Sequence, residues 1–353
     1  MKINPPQPAI RRNSASIWLN RIAIFTCGCC FVLLFIGGLV TSHQAGLSVP
    51  DWPTSYGWNM FTFPMKDWVG GIFYEHTHRL FASFVGFLIL AQAILFWKFE
   101  PRSWVKRLSW FALLCVVLQG VLGGITVLFY LPPAISSSHA ALGQMVFCLT
   151  LAIAMVTGKG WELQRTKMTE RTQFGVRTLS LVSVIVIFCQ LMIGAIMRHT
   201  FSGLAIPTFP FAPNGSVIPD FTSFGVAINF AHRVGAFVVT IMLFLTAKSL
   251  FRWHSREKGL IIPMMLAMFL LGVQIMLGAI TIWSSKAVTP TTLHVSCGAA
   301  ILGTMVYIMI RSRHTISAKS TLVVGANGVG PVFGKNVRVK SENGPTPLAP
   351  TIS

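Results

Sequence analysis

Four histidines stand at positions where imidazole side chains could bind a metal. His78 and His232 lie early in two apolar stretches, and His139 and His294 open two others. Two imidazoles that face one another across a helical bundle can supply both axial ligands of an iron porphyrin. The spacing therefore indicates two pairs, His78 with His139 and His232 with His294, each able to hold one heme iron.

An arginine follows the first histidine of each pair. Arg79 and Arg233 lie near the outer ends of their helices, where a guanidinium could hold a heme propionate through charge-assisted hydrogen bonds. A histidine in a membrane helix can also serve only as a cap or hydrogen-bonding group, and copper or zinc would accept imidazoles too. The duplicated positions favour ligands over caps. A two-ligand set beside an arginine favours heme over a bare cation.

A carboxylate distinguishes the first half of the chain from the second. Glu75 precedes His78 by three residues and shares its helix face, whereas the matching residue in the second half is Asn229. A carboxylate within a membrane span costs free energy and needs a reason. A local ion pair with Arg79 is one explanation. We favour the other, a part in chemistry beside the first histidine pair.

Membrane-spanning helices must position these residues. Of the 353 residues, 53% are hydrophobic and 10% are charged, a composition that excludes an ordinary soluble domain. A bilayer core about 30 Å thick needs about 20 apolar residues per helix. Eight such stretches are predicted, at residues 22–41, 75–97, 107–131, 137–157, 178–198, 228–250, 260–283 and 291–310.

The charge distribution predicts the orientation of these helices. The net charge of +19 could suggest a nucleic-acid partner, but 23 of the 28 Lys and Arg fall on one side of the membrane if the N-terminus is cytoplasmic. By the positive-inside rule both termini are then cytoplasmic, and the histidine pairs lie toward the outer face. We predict a multi-pass protein of a bacterial plasma membrane with no nucleic-acid partner.

The chain also contains an internal repeat, with an offset of 154–157 residues. The sequence GLSVPDWP at 46–53 matches GLAIPTFP at 203–210, and the glutamine–glycine spacing at 119–123 matches that at 274–278. Four helices per half is an even number, so both copies have one orientation in the membrane. The predicted fold is all-α, with eight transmembrane helices in two pseudo-symmetric four-helix bundles.

The repeat divides the chain into five segments. They are a cytoplasmic arm (1–21), a first bundle (22–157), a cytoplasmic linker (158–177), a second bundle (178–311) and a tail (312–353). The tail is rich in Gly, Pro, Ser and Thr, which predicts disorder. The outer segments that follow the first and fifth helices are rich in Pro, Trp and Phe, and an aromatic belt at the membrane interface is expected there.

With these motifs the chain resembles the heme A synthase family over about residues 20–312. The motifs that carry the resemblance are 46–53, Glu75-x-x-His78-Arg79, His139, 203–207, His232-Arg233 and His294. Two features of some family members are missing from this sequence. They are a cysteine pair in each outer segment and a histidine at the position of Ala82.

The resemblance implies a reaction and a cofactor. The first bundle would bind heme o as substrate through His78, His139 and Arg79, and would oxidise its C8 methyl group to the formyl group of heme a. This would proceed by successive hydroxylations with O2 and supplied electrons, and Glu75 matches the acidic residue assigned to catalysis. The second bundle would hold heme b as cofactor, with His232 and His294 as ligands of the iron and Arg233 beside them.

The resemblance also implies partners. These are an unidentified electron donor, the membrane lipid, and a heme O synthase and a terminal oxidase; a homo-oligomer is left open. The alternative function is a non-catalytic b-type cytochrome with two bis-histidine hemes, and a transporter would also fit parallel repeats. The unduplicated Glu75 favours the enzyme over the cytochrome, and histidines clustered at one face count against a transporter.

Overall fold

Eight long α-helices make up most of the described chain. The computed structural model describes residues 14–159, 161, 168–169 and 175–317. The helices are α1 (Ser14–Ser42), α2 (Gly71–Phe99), α3 (Ser103–Leu128), α4 (Pro133–Val156), α5 (Val176–His199), α6 (Phe224–Trp253), α7 (Lys258–Trp283) and α8 (Val288–Thr315). All eight are long and apolar enough to cross a membrane. The prediction of an all-α, multi-pass membrane protein is therefore confirmed.

Most of the helices extend beyond the predicted apolar stretches, although α3 and α4 end at Leu128 and Val156, before the predicted residues 131 and 157. α1 begins at Ser14, within the predicted arm, and α8 continues to Thr315, past the predicted end of the second bundle. A helix can continue into the polar interface because its backbone hydrogen bonds are satisfied internally, whereas hydropathy marks only the hydrocarbon-spanning part. Most of the predicted linker and tail lies outside the described residues. Within them, β1 (Met168–Thr169) pairs in parallel with β2 (Ile316–Ser317).

The helices of each half contact one another in the same pattern. α1 and α3 each pack against α2 and α4, and α5 and α7 each pack against α6 and α8. The halves meet where α4 contacts α5 and where α1 and α4 contact α8. Buried residues make up 56% of the apolar window of α8, compared with 17–39% in the other helices. α8 is thus the most enclosed of the eight helices.

A glycine of α1 brings the two halves close together. A Cβ atom added at Gly38 would lie 3.3 Å from Cγ2 of Thr292 on α8.

Elsewhere the helix surfaces carry large exposed apolar side chains, including Phe87 and Phe237, which are 61% and 66% exposed. Such surfaces are unfavourable in water but suit contact with lipid tails.

Two extended segments, 43–70 and 200–223, join α1 to α2 and α5 to α6. Each contains a short 3-10 helix and a cis peptide bond before proline, Trp52–Pro53 and Phe209–Pro210. In the first segment the carboxylate of Asp51 accepts hydrogen bonds from the N–H groups of Tyr56 and Gly57. Partial burial acts to raise the pKa of Asp51, but these hydrogen bonds outweigh it and lower the pKa below its usual value.

Trp52 fixes the first segment against α3. A Cβ atom added at Gly124 would lie 2.7 Å from Cε2 of the Trp52 indole, so the ring occupies the space that a side chain would need. The matching positions in the second half are Phe209 and Ala279. The second half therefore combines a smaller ring with a larger helix residue.

We expect Gly124→Ala to destabilise the protein because the added methyl group must displace the Trp52 ring. Overpacking of this kind costs about 1–3 kcal/mol. Gly120→Ala is the matched control, since nothing lies within 4 Å of a Cβ atom there and replacing a mid-helix glycine by alanine stabilises by about 0.5–1 kcal/mol. Thermal unfolding in detergent should give Tm shifts of opposite sign. Equal stability of the two variants would contradict the packing of Trp52.

Candidate functional site

In the first half, each predicted ligand histidine lies against a glycine of a neighbouring helix. A Cβ atom added at Gly37 on α1 would lie 3.2 Å from Cε1 of His78 on α2. One added at Gly123 on α3 would lie 3.1 Å from Cε1 of His139 on α4. Both distances are shorter than most contacts that a Cβ atom makes, so a side chain at either position would press on the imidazole ring. The two imidazoles therefore rest on the backbones of adjacent helices.

The second half repeats this arrangement. A Cβ atom added at Gly194 on α5 would lie 2.9 Å from Cε1 of His232 on α6, and one added at Gly278 on α7 would lie 3.1 Å from Cε1 of His294 on α8. The glycines are related by the same sequence repeat as the histidines. Each of the four histidines predicted as ligands thus lies against a glycine of a neighbouring helix.

The spacing of the second pair suits two axial ligands of one iron. The ring centroids of His232 and His294 are 6.4 Å apart. Two imidazoles bound to one metal at about 2 Å would have centroids about 6 Å apart, because each centroid lies about 1 Å behind the ligating nitrogen. Nδ1 of His294 lies 3.1 Å from the carbonyl oxygen of Gln274. A proton donated there leaves Nε2 unprotonated, as is usual for ligand histidines, and the side-chain Nε2 of Gln274 lies 3.4 Å from this atom. The pair fits a heme iron.

Gln190 on α5 holds His232 and was missed by the sequence analysis. Its Nε2 donates to the carbonyl oxygen of His232 at 2.7 Å and lies 3.1 Å from Nδ1 of the same residue. The amide has room only because residue 235 is glycine, since a Cβ atom there would lie 3.0 Å from Cδ of Gln190 and closer still to Oε1. Gln190 and Gly235 therefore form a complementary pair.

The first half has apolar residues at both of these positions, Leu33 and Phe81. Nδ1 of His78 is buried and has no hydrogen-bond partner among the described residues. The paired replacement is visible when the halves are aligned, but only the structure shows that it concerns a histidine. The first ligand of the second half is hydrogen-bonded, and its counterpart in the first half is not.

Glu75 is buried and has two partners. The residue is only 3% exposed. Oε1 accepts a hydrogen bond from Nη2 of Arg79 at 2.7 Å, and Oε2 accepts one from the N–H of Val49 at 2.8 Å. The local ion pair considered in the sequence analysis is therefore present, and it ties α2 to the first outer segment.

Arg79 binds the backbone of the same segment. Nη1 donates to the carbonyl oxygens of Asp51 and Thr54 at 2.7 and 3.1 Å, and Nη2 donates to that of Val49 at 2.7 Å. With the bond to Glu75, all four Nη hydrogens of Arg79 are engaged. A propionate at either Nη atom would have to displace one of these acceptors, and that contact stays a prediction.

Arg233 has the equivalent function in the second half. Nη2 donates to the carbonyl oxygens of Ile206 and Thr208 at 3.0 and 2.6 Å, and Nη1 donates to that of Pro210 at 3.3 Å. Nε donates to Oδ1 of Asn229 at 3.2 Å. A neutral amide here takes the place that a carboxylate has in the first half, and the outer segment is still anchored.

His76 on α2 packs against the first outer segment and has no contact with the ligand histidines among the described residues. It is fully buried, its Nδ1 lies 3.2 Å from Oγ of Ser55, and its ring packs against Trp68 and Phe63 with centroid distances of 4.6 and 5.1 Å. Its orientation agrees with its place on the helix, about 200° from His78.

Comparison with known proteins identifies the family. The family model COX15-CtaA, described as cytochrome oxidase assembly protein, matches residues 61–306. The chain belongs to the COX15-CtaA family. Proteins named heme A synthase are similar to it: 22% identical over 293 residues in Listeria welshimeri, 23% over 304 in Bacillus pumilus and 24% over 313 in Bacillus mycoides. These alignments cover 82–86% of this chain and 92–96% of the relatives. The predicted family is confirmed.

The COX15-CtaA match includes every residue assigned to the two sites from the sequence. The outer segment at 43–60, which Arg79 anchors, precedes the matched region. The site residues therefore lie in the part of the chain that resembles the family, while part of the structure that surrounds them does not enter the match.

We expect Arg79→Gln to destabilise the protein more than Arg233→Gln. Removing Arg79 leaves the buried carboxylate of Glu75 unpaired, which costs about 3–5 kcal/mol, whereas Asn229 beside Arg233 is neutral. Thermal unfolding of both variants in detergent measures the difference. Adding Glu75→Gln to Arg79→Gln should recover part of the loss. Equal losses for the two arginines would show that the charge of Glu75 does not depend on Arg79.

Proposed function

We propose that this chain is a heme A synthase, an enzyme that oxidises the C8 methyl group of heme o to the formyl group of heme a. Family membership and the relatives named heme A synthase support this function. The observation that carries it is the pair of His232 and His294 at the spacing of heme ligands, together with the duplicated histidines of the first half, where a buried carboxylate is added on the helix of His78.

The proposed architecture is two pseudo-symmetric four-helix bundles in a bacterial plasma membrane, α1–α4 and α5–α8, with both termini cytoplasmic. The repeated helix contacts support the bundles, and the distribution of Lys and Arg supports the orientation. Both histidine pairs then lie toward the outer face, beneath the segments 43–70 and 200–223.

In the first bundle, we assign His78 and His139 as ligands of the substrate, heme o. A substrate must enter and its product must leave, so the ligands should release the iron readily. The lack of a hydrogen bond at Nδ1 of His78 fits this requirement, since such bonds orient an imidazole and increase its basicity. Arg79 holds the outer segment beside this site.

In the second bundle, we assign His232 and His294 as ligands of a resident heme b, with Arg233 holding the outer segment beside them. When bound, this heme would supply one-electron relay to the first site. The 3.1 Å contact between Nε2 of Gln190 and Nδ1 of His232, and the contact of Nδ1 of His294 with the Gln274 carbonyl oxygen, orient the two rings. Fixed ligands are suited to a cofactor that is retained through many turnovers.

Glu75 is the residue that we assign to proton handling at the first site. Each hydroxylation of a C–H bond by O2 consumes two electrons and two protons and releases one water molecule, and a methyl carbon that carries two hydroxyl groups loses water to become a formyl group. Asn229 shows that an amide is sufficient to anchor an outer segment. The carboxylate at the matching position therefore adds an ionisable group, which anchoring does not need.

The alternative is a non-catalytic b-type cytochrome with two hemes. A symmetric electron carrier gives no reason for the differences at Glu75 and Asn229 or at Leu33 and Gln190, so these differences favour the enzyme. The enzyme needs an electron donor, and a heme O synthase and a terminal oxidase are the expected supplier of its substrate and user of its product.

Cells that express this chain together with a heme O synthase should contain heme a. Extracted hemes are separated by reversed-phase chromatography and identified by mass. The matched control is a strain with His78→Ala, which should accumulate heme o while the purified protein keeps its heme b spectrum. Extracts with heme o and heme b but no heme a would disprove the synthase and favour the cytochrome.

We expect Glu75→Gln to lower heme a formation by about 100-fold or more, because general acid–base groups contribute about 10²–10⁴-fold. The amide keeps a hydrogen-bonding group of the same length beside Arg79 and Val49. Tm and the heme b spectrum of the purified variant are the controls for folding. Normal heme a formation with Gln at this position would show that Glu75 only anchors the outer segment.

A further inference from the structure

Arg198 lies beside the second histidine pair and has no role in the function proposed so far. It follows Gly194 by four residues on α5, so both face the same side of that helix. Gly194 is the residue against which the His232 ring rests. Arg198 is therefore one helical turn from that ring toward the outer end of α5.

The hydrogen bonds of Arg198 do not neutralise its charge. Nη2 donates to the carbonyl oxygen of Gly38 at 3.1 Å and to Oγ of Ser42 at 2.7 Å, both on α1. These acceptors are neutral, and Ser42 also accepts a hydrogen bond from Thr292 at 2.8 Å. The ion pairs found within residues 14–159 and 175–317 are those of Glu75 and Glu100. Neither includes Arg198.

A cation in a membrane-spanning helix normally faces an anionic or strongly polar partner. The first half has no equivalent charge, because the matching residue is Thr41, whose hydroxyl bonds to the carbonyl oxygens of Gly37 and Gly38 on its own helix. Arg79 and Arg233 also differ from Arg198, since their guanidinium groups are occupied by the outer segments. Arg198 has donors to offer near the pair.

We propose that Arg198 binds a carboxylate of the ligand held between His232 and His294, which is a propionate of a heme b molecule. This proposal rests on the proposed function. A guanidinium suits the task because it is always charged and presents several N–H groups to a carboxylate. Arg198 would thereby also link the second site to α1, since its Nη2 donates to two groups of that helix.

The test compares heme b with its dimethyl ester, in which both propionates are uncharged. Each is titrated into the apo full-length chain in detergent, and Soret absorbance gives the Kd. To isolate the second site, His78→Ala and His139→Ala are present throughout. We expect the free acid to bind about 10-fold to 100-fold more tightly than the ester, the range for a hydrogen bond to a charged group.

Arg198→Gln should reduce this preference to about 2-fold or less, and Arg198→Lys should retain part of it. The control is Arg252→Gln, at an exposed position in the last turn of α6. This variant should keep the full preference. An unchanged preference in Arg198→Gln, or none in the parent protein, would overturn the proposal. If Arg198→Gln does not fold, Arg198→Lys still tests the proposal: a lowered preference for the free acid supports it, and an unchanged preference overturns it.

A second background separates this proposal from its alternatives. With His232→Ala and His294→Ala present, only the first site binds, and its preference for the free acid should not depend on Arg198. Dependence there and not at the second site would assign the carboxylate to the substrate and overturn the proposal. If the parent chain binds no heme at all, the proposed function itself fails, and this result is distinct from the loss of one preference.

Discussion

The close approach of four imidazole rings to four glycines determines how the rest of this structure is arranged. Gly37, Gly123, Gly194 and Gly278 carry no side chain, so the histidines of adjacent helices can lie directly against the helix backbones. A larger residue at any of them would push a ring toward the middle of the bundle and close the space between the two rings of a pair. The polar groups of each site then have to find partners within the protein, because a lipid environment offers none.

The two halves solve this problem with different residues. Both halves place a glutamine, Gln119 or Gln274, beside the second histidine of the pair. In the second half, Gln190 and a backbone carbonyl also contact the histidine rings, and a neutral asparagine supports the outer segment. In the first half, the position of Gln190 is taken by Leu33 and that of Asn229 by Glu75. One half thus has well-oriented rings and no added charge, while the other has a less constrained ring and a buried acid. A retained cofactor and an exchanged substrate place these different demands on a site.

Much of this could be predicted from the sequence, because the strongest signals were hydropathy and repetition. Eight apolar stretches predicted the eight helices, and the duplicated histidines predicted two ligand pairs, of which His232 and His294 have ring centroids 6.4 Å apart. The extent of α1 and α8 was underestimated, since hydropathy does not mark where a helix ends in the interface. Gln190 and Gly235 were missed because their complementarity is a contact between two helices and has no sequence periodicity. Arg79 and Arg233 were assigned to propionates from their position alone, whereas the structure shows their guanidinium groups bound to backbone carbonyls of the outer segments.

The adjacent glycines of α1 have a further consequence. Gly37 faces His78 of its own half, and Gly38 faces Thr292, two residues before His294 of the other. A single peptide unit therefore touches the surroundings of both sites. The two copies of a duplicated unit can in general remain separable, as independent chains that assemble into a dimer. Here a rotation or shift of α1 that improved one site would disturb the other, so the two copies are constrained to change together and to remain parts of one polypeptide.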